Sequence, residues 1–155
     1  MISRRNIRVK VMQTLYSVES QESLVQPGET VRLLKKQFDQ TRELLVFLIH
    51  SITEVARYAE KDARMRASKH LPTATDLNVN TKIAGNQLLW TILENSSYKA
   101  AVKEDKPERI TDQDLVRKLY LDLVKEEIYQ QYISVEGRDK QGEKLMLEFI
   151  FNDLL

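Results

Sequence analysis

Cysteine is absent from the 155 residues, and histidine occurs twice. The first absence excludes a disulfide framework, a thiolate metal site and a cysteine nucleophile, and it fits a reducing cytoplasm. With His50 and His70 alone, a transition-metal centre has too few ligands, and both read as packed or solvated side chains. Glycine (4) and proline (3) are scarce, so few helix breakers interrupt a composition dominated by Leu, Lys, Glu, Gln and Ala. No period-2 strand pattern and no internal repeat occurs. The longest apolar run, Leu44 to Ile49, falls far short of the roughly 20 residues that span a bilayer. The start has no apolar h-region, so no signal peptide is expected. HExxH, Walker, GxGxxG and GxSxG motifs are all missing. Glu126-Glu127 and Asp112/Asp114 read as exposed helix charges and a cap. The chain is therefore read as a non-enzyme with neither cofactor nor metal.

What is present concentrates at the start. Arg4, Arg5, Arg8 and Lys10 precede the first acid, Glu19. Ile7, Val11, Leu15 and Val18 form a helical apolar stripe, which predicts a helix from Arg4 to Glu19 with Ser3 as N-cap. At about 100° per residue, Arg4 and Arg8 share a side with Val11 and Leu15, so they should project past the packed region. Cations at a helix N-terminus oppose the macrodipole at a cost of a few tenths of a kcal/mol each. An end shaped for stability alone would carry acids there. The alternatives are a solvated helix end and an electrostatic footprint for nucleic acid.

The net charge of +1 hides an asymmetry. Residues 1–103 hold 16 Lys/Arg against 10 Asp/Glu, giving +6, and residues 104–155 hold 8 against 13, giving −5. A polyanion would prefer the first two-thirds.

One domain of this size can bury about 68–70% of its unfolded surface. The connection from Ser20 to Gly28 closes on a Pro27-Gly28 turn. A long helix follows, with Val31, Leu34, Phe38, Thr41, Leu45, Leu48, Ile52, Val55 and Ala59 as a seam for partner helices. Leu33, Leu44, Phe47 and Ile49 widen the stripe, favouring a bundle core over a free coiled coil. Beyond it, Arg57, Lys61 and Arg64 share a face, with Arg66 and Lys69 nearby, and Glu60 and Asp62 partly neutralise them. This second patch reads first as a solvated helix end. Ser68 to Asn80 is irregular, with Pro72 biasing Leu71 away from helix and Thr75 and Asp76 serving local backbone donors. Helices are predicted at Gln87–Leu93 and Ser97–Val102, with Trp90 as a core anchor. Thr111 and Asp114 resemble a capping box that opens a helix with Leu115, Leu119, Leu123 and Ile128 on one face. Gly137 and Gly142 bracket a turn before a last apolar helix. The expectation is an all-α bundle of five to seven helices, one of them long, in a single domain over 1–155.

Ser3 to Ser17, with Gln13-Thr14-Leu15-Tyr16 after the arginines, resembles the opening helix of the NusB family of transcription antitermination factors. Leu71-Pro72-Thr73, Asp76-Leu77-Asn78, Asn80-Thr81-Lys82 and Asp114 to Tyr120 resemble the extended, Bacteroidetes-type members, which insert extra helices. The family's second-half signature, Phe-(Val or Ile)-Asn-Gly-Val-Leu-Asp, is absent, and the chain stops at Phe151-Asn152-Asp153-Leu154-Leu155. The expectation is an N-terminal half of a longer protein. Phe149, Ile150, Leu154 and Leu155 would then lack a covering segment and favour self-association.

The resemblance implies a function. NusB pairs with NusE, a ribosomal small-subunit protein, and binds the boxA element of nascent ribosomal RNA. The complex helps RNA polymerase read through terminators. Carried over by position, Arg4, Arg5 and Arg8 would contact RNA phosphates and stack on bases. Lys10 would be a peripheral phosphate contact, Gln13 would bond a base edge, and Tyr16 would flank the RNA or partner. Asn6 stands where shorter relatives often carry another arginine. Two rival readings remain. One is the RNA-binding N-terminal domain of a ribosomal RNA cytosine methyltransferase, which would need a Gly-rich α/β domain downstream. The other is a helical protein–protein adaptor.

Overall fold

Ser3 opens the first helix as its composition suggests: its hydroxyl accepts the Asn6 N–H at 3.1 Å. The computed structural model describes residues 3–20, 26 and 28–155. The Ser20–Gly28 connection lies mostly outside the described residues, although Gly28 has the positive φ (+87°) that a turn there requires. The described residues form eight α-helices in order: α1 (Arg4–Glu19), α2 (Glu29–Ala67), α3 (Ala74–Leu77), α4 (Gln87–Glu94), α5 (Ser96–Asp105), α6 (Gln113–Lys125), α7 (Glu127–Ser134) and α8 (Lys140–Phe149). Short 3₁₀ turns occupy Lys82–Gly85 and Pro107–Arg109, and a π turn, Ile150–Leu154, ends the chain. No strand occurs among the described residues, so the protein is all-α with one long helix.

The chain divides into two compact units, Met1–Leu45 and Val46–Leu155. In the first, α1 is joined to the opening part of α2 through Thr14. Its hydroxyl lies 2.8 Å from the Lys10 carbonyl oxygen and 3.0 Å from Gln37 Oε1. Thr14 is the one buried side chain among the described residues of this unit. The seam of α2 divides accordingly. Val31, Thr41 and Leu45 are exposed and Leu34 and Phe38 half-buried, whereas Ile52, Val55 and Ala59 are buried. The periodicity predicted a continuous core face, but only its second half enters a large core.

That core belongs to the second unit. Ile52, Val55, Ala56, Tyr58 and Ala59 of α2 meet Ile83, Leu89 of α4, Val116, Tyr120 and Leu123 of α6, Tyr129 and Tyr132 of α7, Met146 of α8, and Ile150. Each large apolar side chain fully buried there stabilises by about 1.5–3 kcal/mol. The Tyr58 and Tyr120 rings pack tilted at 47°, with centroids 5.3 Å apart. Burial raises the Tyr120 and Tyr129 phenols, and the neighbouring phenol and Asp62 add to the effect on Tyr120.

Several sequence expectations need correction. The N-cap of α6 is Asp112, which accepts from Asp114 N at 2.9 Å, while Thr111 Oγ1 donates back to the Pro107 carbonyl. The capping box forms instead at α3, where Thr73 and Asp76 exchange bonds and Asp stands for the usual Glu. The inner face of α6 is Val116, Tyr120 and Leu123, leaving Leu115 exposed; two apolar stripes run side by side there and packing selects the one carrying the tyrosine. Trp90 is 46% exposed and donates its indole N–H to the Ala84 carbonyl, while its neighbour Leu89 is the core anchor. Gly142 lies inside α8, giving its N–H to the Asp139 cap. At the end of the chain Ile150 is fully buried, and Phe149 and Leu154 pack partly against the same core. Of the four residues expected to lack cover, Leu155 is the exposed one.

Candidate nucleic-acid interface

The face of α1 turned from Thr14 gathers cations and apolar side chains together. At 100° per residue, Arg4, Leu15, Arg8, Met12, Arg5 and Tyr16 lie within one continuous third of the helix circumference, which the exposed Glu19 shares at the far end of the helix. All six are exposed, Tyr16 at 77%. Arg4 and Arg8 stand one turn apart, about 6 Å along the axis. The first turn holds no acid. Among the described residues no carboxylate forms an ion pair with Arg4, Arg5 or Arg8. Three guanidiniums thus sit beside the positive end of a sixteen-residue helix, none of them in an ion pair with a described carboxylate. Such an end attracts anions through both its charge and its backbone N–H groups.

The other two predicted contacts lie elsewhere on the helix. Lys10 and Gln13 line a cleft of about 280 Å³ with Asn6 and Val9 of α1 and Phe38 and Thr41 of α2. The structure therefore separates the six candidates into an arginine face with Tyr16 and a cleft with Lys10 and Gln13. By periodicity Phe38 and Thr41 are seam residues of α2. Periodicity marks a face as apolar without saying which stretch a partner covers, so nothing in the pattern set these two apart. Asn6, interrupting the arginine series, was the nearest signal.

The second basic segment is largely engaged within the protein. Arg66 Nε lies 2.8 Å from Asp62 Oδ2, a charge contact too bent for a well-aligned hydrogen bond. Lys69 Nζ sits 2.6 Å from Asp76 Oδ1, and Arg64 is 3.7 Å from Glu60. Lys61 stands over the Tyr58 ring at 5.4 Å. With Arg57, Glu54 and Gln113, Lys61 and Tyr58 border a shallow cleft of about 210 Å³ whose charge is mixed. This segment offers a polyanion less than α1 does.

Among the described residues, no cluster of three or more His, Asp or Glu is placed to hold a metal ion, and no helix is long and apolar enough to cross a membrane. Comparison with protein-family models, curated proteins and solved structures finds no match.

Proposed function

We propose that this chain is an RNA-binding factor of the NusB type, acting in transcription antitermination with NusE on boxA of nascent ribosomal RNA. The observation that carries the RNA part is the row of Arg4, Arg5 and Arg8 on the exposed face of α1, none of them paired with a carboxylate among the described residues. Guanidiniums bind phosphate bidentately and stack on unpaired bases, and single-stranded RNA offers both. The resemblance of the opening helix to NusB supplies the antitermination role, boxA and NusE. No bond is made or broken; RNA and protein factors are tethered to the elongating polymerase.

The test is a titration of a boxA-like and a scrambled single-stranded RNA at several salt concentrations, with NusE present. Three phosphate contacts give a log–log salt slope of about −2, from roughly 0.7 per contact. Arg8→Ala flattens that slope by about 0.7 and leaves folding intact. If the triple Arg-to-Ala protein binds RNA as the parent does, the arginines are only a solvated helix end.

One observation favours a second reading, a helical adaptor for another protein. Met12 and Leu15 are 66% and 49% exposed on the arginine face, beside Tyr16. Exposed apolar side chains ringed by charge suit a protein interface. That reading has no RNA role: Met12→Ala with Tyr16→Ala abolishes partner binding, and whatever RNA binding is measured ignores the arginines.

A further inference from the structure

We infer that the cleft between α1 and the first part of α2 receives one unstacked RNA base, a reading that rests on the RNA-binding function proposed above. Its walls combine three chemistries. Val9 and Phe38 give apolar and aromatic surface, Asn6 and Gln13 bring two carboxamides, and Lys10 brings a cation. Each carboxamide presents donors and an acceptor side by side, which is what a base edge requires. Among the described residues, neither the Asn6 nor the Gln13 side chain is hydrogen-bonded to another side chain or to the backbone. These groups are therefore available to a ligand without breaking an internal bond.

Size and position identify the occupant. At about 280 Å³ the cleft lies just under the range of drug-sized pockets, about 300–1,000 Å³, and suits a single planar ring system. It is open to solvent, and Val9 on its wall follows Arg5 by one turn of α1. A nucleotide with its base in the cleft would thus run its backbone onto the arginine face. Lys10, half-buried at the cleft edge, would meet the phosphate of that same nucleotide. A free uncharged metabolite would gain nothing from the neighbouring arginines, and a single nucleotide would reach them with one phosphate, whereas a strand engages several at once while its base fills the cleft. Phosphate contacts would hold the strand and the cleft would read one position of it.

The test is an abasic scan. Single-stranded 12-nucleotide RNAs, each with one abasic residue at a different position, are titrated against the full chain by fluorescence anisotropy at several salt concentrations. One abasic position should weaken binding about tenfold, in the range for a single base on a single aromatic, with the salt slope unchanged. Val9→Phe, which fills the cleft, should lower the parent RNA to the affinity of that abasic RNA and erase the position dependence. Phe38 is half-buried, so its truncation could disturb the packing of α1; Gln13→Ala, at an exposed position, is the second variant and should reduce discrimination between bases at the sensitive position. A uniform scan with an intact arginine-dependent slope would overturn the base cleft and leave the RNA function standing. A sensitive position that survives Val9→Phe would place the base elsewhere and equally overturn it. Binding indifferent to the triple Arg-to-Ala change would remove the RNA function and this inference together.

Discussion

The Glu143 carboxylate of α8 caps the start of α4: its Oε2 accepts the Gln87 N–H at 3.1 Å. Its other oxygen lies 2.8 Å from Arg138 Nη1, which also donates to the Gly85 carbonyl. Asn86 completes the node. Its Nδ2 donates to the Glu143 carbonyl at 3.0 Å and its Oδ1 accepts from Leu88 and Leu89. Glu143 is 2% and Asn86 0% exposed. A carboxylate at a helix N-terminus is favoured by the dipole, and burial makes its loss costly.

Removing Glu143 should therefore destabilise the second unit strongly. Glu143→Ala strands the partly buried Gln87 N–H and leaves the Arg138 guanidinium, whose side chain is 37% exposed, without its carboxylate, at a cost of roughly 2–4 kcal/mol, less than for a fully buried pair because Arg138 retains solvent. Glu143→Gln keeps the acceptor for Gln87 and should cost less than half of that. Urea unfolding followed by helical circular dichroism measures both. Equal losses for Ala and Gln would mean that the charge on Arg138 matters and the cap does not.

Gly85 is bound to the same node through space. A Cβ at this position would collide with the Arg138 guanidinium, which would have to shift from its place between the Gly85 carbonyl and Glu143. Gly85→Ala should cost about 1–3 kcal/mol in the parent. In an Arg138→Ala background the collision is gone, and the same change should be close to neutral. The double-mutant cycle reads this directly, and additive losses would contradict it.

Asp76 gives a pH dependence with a definite sign. The Lys69 ammonium beside it, then the Thr73 backbone and hydroxyl, hold its carboxyl down at about 2. A depressed carboxyl contributes stability that is fully present above its unfolded value, about 3.9, and is lost as pH falls toward 2. Residues 69–77 should loosen in that window ahead of the main core. Asp76→Asn should already be loosened at neutral pH and insensitive to acid there. Amide and Lys69 side-chain NMR shifts between pH 5 and 2 follow the change, and a midpoint at the ordinary carboxylate value would contradict it.

These elements show what a sequence makes legible. The start of α1 was readable to the residue because Ser3 and the arginines are local signals. The division at Asn95 was readable for the same reason: Asn95 ends α4 and caps α5 through Ser97 N and Tyr98 N. The Glu143 node is not readable, because its two halves, Gly85 to Gln87 and Arg138 with Glu143, are more than fifty positions apart and only packing brings them together. Choosing between Leu115 and Val116 as the inner residue of α6 likewise needs the partner helices. The arginines were found by charge alone. The cleft needed the crossing of α1 with α2, which periodicity does not specify.

Lys106 ends α5 in the left-handed region, at φ 49° and ψ 55°, the only non-glycine residue with positive φ among the described residues. A side chain pays roughly 1–2 kcal/mol for that conformation. Glycine adopts it freely but gains entropy in the unfolded chain, so Lys106→Gly should stabilise by about 0.5–1 kcal/mol. A shift of the urea midpoint upward without a change in slope is the expected result. A lower midpoint would show that the lysine side chain contributes more than its backbone costs.

The two units should differ sharply in local stability. Among the described residues of the first, Thr14 alone is buried, and the apolar face of α1 is covered only in part, with Ile7 and Leu15 42% and 49% exposed. In the second, Val55, Ala59, Ile83 and Leu123 are fully excluded from water. Local opening follows buried apolar contact, so α1 amides should exchange with solvent deuterium at least about a hundredfold faster than those of α6 at Val116–Leu123. Thr14→Ala removes the hydroxyl that meets Gln37 and should speed exchange in α1 further without altering α6. A loosely held helix also gives its order to whatever binds it: RNA on the arginine face should slow α1 exchange and leave α6 as it was. Equal protection of α1 and α6 in the free protein would show that the first unit is held by more than Thr14 and its half-covered neighbours.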